Sequence, residues 1–246
     1  MKRLDLLLLE RGFFGSRNKA AEAIREGKVA VDGAVVRKPS AKCSERAEIA
    51  VENDGYVSRA ARKLAGYLEE YPLEIAGKRC LDIGSSTGGF TQVLLERGAE
   101  RVDAVDVGRE QLHPSLRGDP RVRSHEETDI RDFDPGRGYP LVVSDVSFIS
   151  LLHILPSVDR LAESGADILL LFKPQFEVGR EAKRDRRGVV TDDKAVAEAM
   201  ERFEGAAKAR GWKMLRKVPS TLAGKEGNRE WVYHFVKPQA AGESNK

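Results

Sequence analysis

The sequence predicts an α/β protein, a doubly wound and mostly parallel sheet preceded by a small α+β module. Three observations carry that prediction. From Lys78 onward, short apolar runs alternate with helical patterns, as in a chain that shuttles between sheet and covering helices. The net charge of +3 sits in the first quarter: residues 1–60 hold 12 Lys and Arg against 9 Asp and Glu, whereas residues 61–246 balance at 30 each. Within that basic quarter, VAVDGAVV (29–36) places apolar residues on both sides of an Asp-Gly turn, a hairpin signature.

The 246 residues, 41% hydrophobic and 33% charged, suffice for two cores. The longest apolar run, Ile168–Phe172, is far short of the ~20 residues that a membrane helix needs. The start MKRLDLLLLERG is interrupted by acids and precedes no small-residue cleavage site, so a cytoplasmic location is expected, with no membrane partner. Cys43 and Cys80 have no partner spacing for a metal or a disulfide framework, and both are expected as ordinary thiols with no metal required.

In the first module, Ser16 caps a predicted helix whose Ala20, Ala23 and Ile24 share one face and whose end is Gly27. Arg17, Lys19, Arg25, Lys28, Arg37, Lys38 and Lys42 recur through the helix, hairpin and following strand; they form either a phosphate-binding face or a solvated surface. Arg3–Asp5 (RLD), Ser16-Arg17, the pattern from Ala20 to Gly33 and Lys38–Ser40 (KPS) together resemble the S4 RNA-binding domain. The resemblance implies recognition of structured RNA and adds Arg3 and Ser16 to the RNA-binding residues. A polar linker, ENDGYVSR (52–59), marks the boundary, giving expected domains of 1–59 and 60–238, with 239–246 as a disordered tail.

The second part opens with a helix from about Ser58 to Glu70, ended by Pro72, with Ser58 as candidate cap. Its strands are read at RCLDIG, RVDAVDV, YPLVVSDVSF and ADILLLFK, closed by a hairpin-like pair, MLRKVPS and REWVYHFVK. In such sheets ligands bind beyond the carboxyl ends of the strands, and LDIGSSTGGF (81–90) is the first of those ends. A nucleoside triphosphate does not suit it, because Phe90 stands where the phosphate loop needs GK[ST]. A dinucleotide does not either: Ser86 breaks G-x-G-x-x-G, and Asp82 would face a pyrophosphate.

A guest carrying positive charge resolves the conflict. S-adenosylmethionine has a sulfonium and an ammonium for Asp82 to favour. The small residues Gly84, Ser85, Gly88 and Gly89, with Ser86 and Phe90 completing the loop, let the backbone approach its amino-acid portion. Asp106, at the end of the next strand, is placed to accept from ribose hydroxyls. For the methyl acceptor, neither cysteine lies at a strand end as cytosine C5 transfer would need, and SDVSF (144–148) replaces the NPPY-like stretch of amine methylation. The charged residues left at element ends are Lys63, Asp145, Lys173 and Glu230. A ribose 2′-hydroxyl needs orientation and help with deprotonation; Lys173 can act there as base or cation, with the acids holding the lysines and Lys63 completing the cage.

Six stretches, Tyr56–Leu64, Asp82–Thr91, Val105–Leu112, Ser144–Leu151, Lys173–Glu181 and Gly227–Phe235, resemble the TlyA family, whose catalytic domain is similar to the FtsJ-type ribosomal RNA methyltransferases. The resemblance covers about residues 1–237. It implies a Rossmann-like methyltransferase domain and methyl transfer to the 2′-oxygen of cytidine in ribosomal RNA on ribosomal subunits. It also implies catalytic roles for Lys63, Asp145, Lys173 and Glu230 and an adenine-side acid at Asp129. The chain departs from the family at Ala60 and Ala61, usually glycines, and at Asp129, more often asparagine. The family also carries a hemolysin name, so a membrane-active protein is a rival reading; a non-catalytic RNA-binding or ribosome-assembly factor is another. The basic segment 179–190 is expected to be a mobile loop that grips RNA through Arg184, Arg186 and Arg187.

Overall fold

The computed structural model describes residues 1–51 and 55–239. Most of the expected linker's acidic start (52–54) and all but Gln239 of the expected tail lie outside the described residues. The chain divides into two compact units after Gly55, four residues before the expected boundary at 59. The shift has a local cause: the Val57 N–H donates to Gln92 Oε1 at 2.8 Å, tying the approach to the next helix into the second unit.

The first unit runs β1 (Lys2–Arg3), α1 (Leu4–Glu10), α2 (Arg17–Glu26), β2 (Val29–Val31), β3 (Ala34–Val35), β4 (Lys42–Cys43) and β5 (Ile49–Val51). Ser16 caps α2 by accepting from the Lys19 N–H, and Gly27 ends it at φ +78°. Asp32 and Gly33, at φ +51° and +80°, make the tight turn between β2 and β3. The core joins Leu4, Leu7 and Leu8 of α1 to Ala20, Ala23 and Ile24 of α2 and to Val29. Leu4, Leu7 and Leu8 are thus the buried face of a short helix, α1, that the sequence reading did not assign, with Leu9 exposed on the other side.

The second unit runs α3 (Arg59–Glu70), β6 (Arg79–Ile83), α4 (Gly89–Glu96), β7 (Arg101–Val105), α5 (Pro114–Arg117), β8 (Val122–His125), β9 (Tyr139–Ser144), α6 (Leu151–Leu161), β10 (Ala162–Phe172), α7 (Pro174–Glu177), α8 (Asp193–Ala209), β11 (Lys213–Pro219) and β12 (Trp231–Val236). Its seven strands lie in the order β11-β12-β10-β9-β6-β7-β8. Strands β8, β7, β6, β9 and β10 are parallel, and β12 runs antiparallel to both its neighbours. The expected doubly wound sheet and closing hairpin are therefore present. The extra strand, β8, is VRSH, an edge strand with a single apolar residue and no alternation to betray it.

Alternation along the strands assigns the two faces. Leu81, Val142, Ile168, Leu170, Phe172, Tyr233 and Phe235 pack with α6 and α8, whereas Cys80, Leu141, Val143, Leu169, Leu171 and Val232 pack with α3 and α4. Continuing the second set to Asp82 near the end of β6, and past the strand ends to Asp145, Lys173 and Glu230, puts all four on the α3 side. Because β12 is antiparallel, its beginning lies at the edge where β6, β9 and β10 end, so all four residues converge there. The chain reverses direction across the sheet between β6 and β9, the switch point where such sheets bind ligands.

Candidate functional site

Along that edge four side chains form a row of alternating charge. Glu230 Oε2 accepts from Lys63 Nζ at 2.6 Å; Lys63 Nζ stands 4.0 Å from Asp145 Oδ2; and Lys173 Nζ lies 2.5 Å from Asp145 Oδ1. Lys173 Nζ also donates to Ser147 Oγ at 2.8 Å and to the Asp145 carbonyl at 3.4 Å. Lys63, Lys173 and Glu230 are buried. Long charged side chains are seldom buried unless paired. With two cations and two anions in contact the row is neutral, so each charge is offset where water cannot do it. Helix α3 supplies Lys63 from a face whose Ala61, Leu64 and Leu68 are core residues, which fixes the lysine's direction toward the sheet.

Beside the row, the β6–α4 loop folds around Asp82. Its Oδ2 accepts from the Thr91 N–H at 2.9 Å and from the Thr91 hydroxyl at 2.6 Å, and its Oδ1 is buried with no hydrogen-bond partner. Burial pushes the Asp82 carboxyl up to about 7, against the pull of the Thr91 hydrogen bonds and with Asp145 and Asp106 pushing the same way. Asp106 closes the loop, accepting from Ser86 N–H at 2.8 Å and Gly108 N–H at 2.7 Å. Ser85 is buried, and its carbonyl accepts from Gly88 N–H at 2.7 Å. The glycines serve the protein's own packing as much as any ligand. A Cβ on Gly84 would meet Val146 at 2.9 Å, one on Gly88 would run into Leu112 and Leu116, and one on Gly89 would strike Ser58 Oγ and the Ala61 backbone. Ala60 and Ala61, the departures from the family pattern, pack against α4 at that point.

Two expected cofactor residues, Phe90 and Asp129, and the candidate cap Ser58 differ from the sequence reading in their surroundings. Phe90 is 5% exposed in the core between α3 and α4, so it holds the helix rather than facing a ligand. Ser58 sits at the N-cap of α3 without making the side-chain cap hydrogen bond. Asp129 pairs with Arg131 at 2.6 Å, and that guanidinium holds its carboxyl below the usual range. The segment 179–190 is organised: Arg184 bridges to Val190, and its guanidinium donates to the carbonyls of Gly179, Arg180 and Ala182. Val190 N–H donates to Asn228 Oδ1 at 2.9 Å, so the loop is pinned near the start of β12. Arg184, Arg186 and Arg187 are all exposed, with Arg184 closing the loop and Arg187 paired with Asp185 at 3.3 Å.

In the first unit, Asp5 is 2% exposed and binds two of the expected RNA-contacting residues, Arg3 through both oxygens (3.0 and 2.8 Å) and Arg17 at 2.9 Å. Lys19, Arg25, Lys38 and Lys42 are exposed; Lys28 pairs with Glu26 at 3.2 Å; Arg37 lies over Gly27 and donates to the Arg25 carbonyl. Ser16 is occupied as the α2 cap.

Sequence reasoning missed Thr91, Ser147 and Phe148. Phe148 is 91% exposed at φ +65°, with its ring 5.2 Å from that of Phe176, which in turn lies 6.0 Å from Lys173 Nζ. A phenylalanine after a strand reads as core, and nothing in the sequence marks this one as solvent-facing.

Both units are similar to known proteins. The profile of FtsJ-like methyltransferases matches residues 56–237, and that of the S4 domain matches residues 2–49. The chain is 51% identical over 74% of its length, and 71% of the relative's, to the 23S rRNA (cytidine-2′-O)-methyltransferase TlyA of Campylobacter jejuni. It is 45% identical to the 16S/23S rRNA (cytidine-2′-O)-methyltransferase TlyA of Mycobacterium tuberculosis, over 93% of this chain and 87% of that one. A solved structure carrying a hemolysin name, from Streptococcus thermophilus, superposes with a TM-score of 0.76 at 34% identity, covering 99% of this chain and 92% of the other. The chain belongs to the TlyA family, an S4 domain followed by an FtsJ-like methyltransferase domain.

Proposed function

We propose that this protein transfers the methyl group of S-adenosylmethionine to the 2′-oxygen of a cytidine in ribosomal RNA, acting in the cytoplasm on ribosomal subunits. The observation that carries the reading is the row Glu230–Lys63–Asp145–Lys173, three of its four residues buried, at the strand ends beside the Asp82 loop.

The residues present fit the cofactor. Asp82 Oδ1 is a buried carboxylate oxygen left without a partner, the feature that a cationic ammonium would complete. Asp106 stands at the end of β7, where a carboxylate can accept from ribose hydroxyls, and Asp129, paired with Arg131, is the adenine-side acid that the family resemblance implies. When bound, S-adenosylmethionine supplies an electrophilic methyl group on a sulfonium that leaves as a neutral thioether. The chain's task is the acceptor. A 2′-hydroxyl must lose its proton as its oxygen takes the methyl group, and the Lys173–Asp145 pair is the place where that proton is held. Lys63 and Glu230 keep the row neutral and stop Asp145 from turning away from Lys173. Phe148 offers an open aromatic face for an unstacked base, and Arg3, Arg17, Arg186 and Arg187 offer guanidinium groups to phosphates.

The test is methyl transfer from labelled S-adenosylmethionine to ribosomal subunits purified from a strain lacking the gene, followed by mapping of 2′-O-methyl sites. Label at a cytidine, absent with Lys173→Ala, is the expected result. No label on either subunit despite measurable cofactor binding would move the assignment to a non-catalytic RNA-binding role. Among the described residues no helix is long and apolar enough to cross a membrane.

A further inference from the structure

Two short segments leave the neighbouring parallel strands β9 and β10 side by side. The first, 145–150, carries Asp145, Ser147 and Phe148; the second, 173–177, carries Lys173 and α7. At the near end Lys173 joins them through Asp145 and Ser147. At the far end the carboxylate of Glu177 does the same, with Oε2 accepting from the Ser150 hydroxyl at 2.6 Å and Oε1 from the Leu151 N–H at 2.8 Å. Between the two ends, Phe148 and Phe176 are in ring contact.

We propose that Glu177 is a positioning residue for methyl transfer, a latch that fixes 145–150 against 173–177 and so sets Lys173 relative to Asp145. The inference rests on the catalytic reading of the Lys173–Asp145 pair given above.

Three features support it. Phe148 holds a left-handed backbone conformation that a side chain of its kind rarely adopts, and such conformations persist only where both ends of the segment are fixed. Lys173 fixes the segment near its start and Glu177 fixes its end. Ser150, while donating to Glu177, accepts from the Leu152 N–H, so the latch is also seated on the start of α6 and borrows the rigidity of an 11-residue helix. Finally, Val146 packs against Gly84, which means that movement of 145–150 would also disturb the cofactor loop. Both oxygens of Glu177 are engaged by Ser150 and Leu151 at the far end of the segments from Lys173. Glu177 acts through the two segments. Burial raises its carboxyl above the ordinary range, against the hydrogen bonds from Leu151 and Ser150 and the nearby charges of His153 and Arg202.

The experiment compares full-length wild type, Glu177→Ala, Glu177→Gln and Ser150→Ala in the subunit methylation assay, alongside cofactor affinity and thermal unfolding. Glu177→Ala should lower kcat at saturating S-adenosylmethionine about 10–100-fold, the size of effect that a misplacement near 1 Å produces, with KM for subunits within about two-fold and any loss of cofactor affinity smaller than the loss of kcat. Glu177→Gln retains an acceptor for Leu151 and gains a donor for Ser150, and should recover to within about three-fold of wild type. Wild-type kcat in Glu177→Ala would overturn the proposal, as would a loss accounted for by weaker cofactor binding alone. Should Glu177→Ala fail to fold, Ser150→Ala decides: it removes half of the latch, a several-fold lower kcat is expected, and an unchanged one overturns the proposal. An inactive wild type would instead sink the catalytic reading on which this one rests.

Discussion

In the first unit one carboxylate, Asp5, holds two arginines whose side chains remain 40% and 50% exposed; in the second, Asp145 and Glu230 hold two lysines that are each 8% exposed. The ingredients are the same, and the difference lies in burial and in the cation. Guanidinium groups keep their proton at any working pH and present planar donors that match phosphate oxygens. Held by a single buried acid, the pair at Asp5 carries one surplus positive charge toward solvent, which suits a phosphate backbone. An ammonium can give up its proton, and the lysine row is neutral and shielded from water, which suits a hydroxyl that must be deprotonated. On the proposed reading, one cluster holds charge and the other moves it.

The largest effect that would break this comparison is at Lys173. Lys173→Ala should lower the rate of transfer about 10²–10⁴-fold, the range that general acid–base groups contribute, and added small primary amines should restore part of it in order of their basicity. Rescue that ignores basicity would leave Lys173 as a fixed charge and erase the distinction from the Asp5 cluster. The matching change in the first unit, Arg17→Ala, should leave kcat at saturating substrate unchanged.

Stability should separate the clusters next. Lys63→Ala leaves Glu230 buried without its ion-pair partner, and breaking a buried pair from one side costs about 3–5 kcal/mol. At roughly 2–4 °C per kcal/mol for a unit of this size, the unfolding midpoint should fall by roughly 6–20 °C. Arg17→Ala, half in solvent, should cost under about 1 kcal/mol. Replacing Lys63 and Glu230 together by methionine and leucine should recover most of the lost stability with none of the activity.

A smaller, pH-dependent effect belongs to Asp82. Its folded-state value is raised from 3.8 to about 7, so its charge weighs against the folded protein progressively as pH rises through that window. A bound cation offsets that charge. Affinity for S-adenosylmethionine should therefore rise with pH, by at most about tenfold per unit, and level off above about 7. Calorimetric titration across the range should show this slope in wild type and a flatter line in Asp82→Asn; equal slopes would assign the proton to another group.

Much of this was legible in the sequence because it depends on periodicity and on residues at element ends. The Ser16 cap, the Asp32-Gly33 turn, the strands of the sheet and the placing of Asp145 and Lys173 at strand ends all follow from patterns that one strand or helix displays by itself. What was not legible depends on partners distant in sequence or on a chain reversal. Strand β8 has too little apolar character to announce itself and exists by pairing with β7. Phe90 reads as part of a ligand loop, yet α4 begins one residue earlier and turns it into the core. Arg184 looks like a free cation until the loop's own carbonyls surround it. Glu177 and Ser147 are ordinary polar residues until two strands bring their segments together.

The smallest effect probes orientation apart from charge. The two arginine hydrogen-bonded pairs, Arg3 first, hold the Asp5 carboxyl well below the usual carboxylate range. Asp5 thus stays ionised, and its contribution to stability is present above pH 3.8 and lost only as pH falls toward the depressed folded value. RNA affinity should accordingly show no titration from this cluster near neutral pH. Salt dependence does report on it. Each phosphate contact contributes about 0.7–0.9 to the slope of log K against log salt, so replacing Arg3 and Arg17 by serine should reduce that slope by about 1.4–1.8 if each holds one phosphate. Asp5→Asn keeps both cations and should leave the slope near wild type while weakening affinity a few-fold, because two unanchored guanidinium groups must be ordered anew on binding. A slope that falls in Asp5→Asn as far as in the double serine variant would mean that the arginines bind phosphate only while the acid holds them; an unchanged affinity would reduce Asp5 to a folding residue.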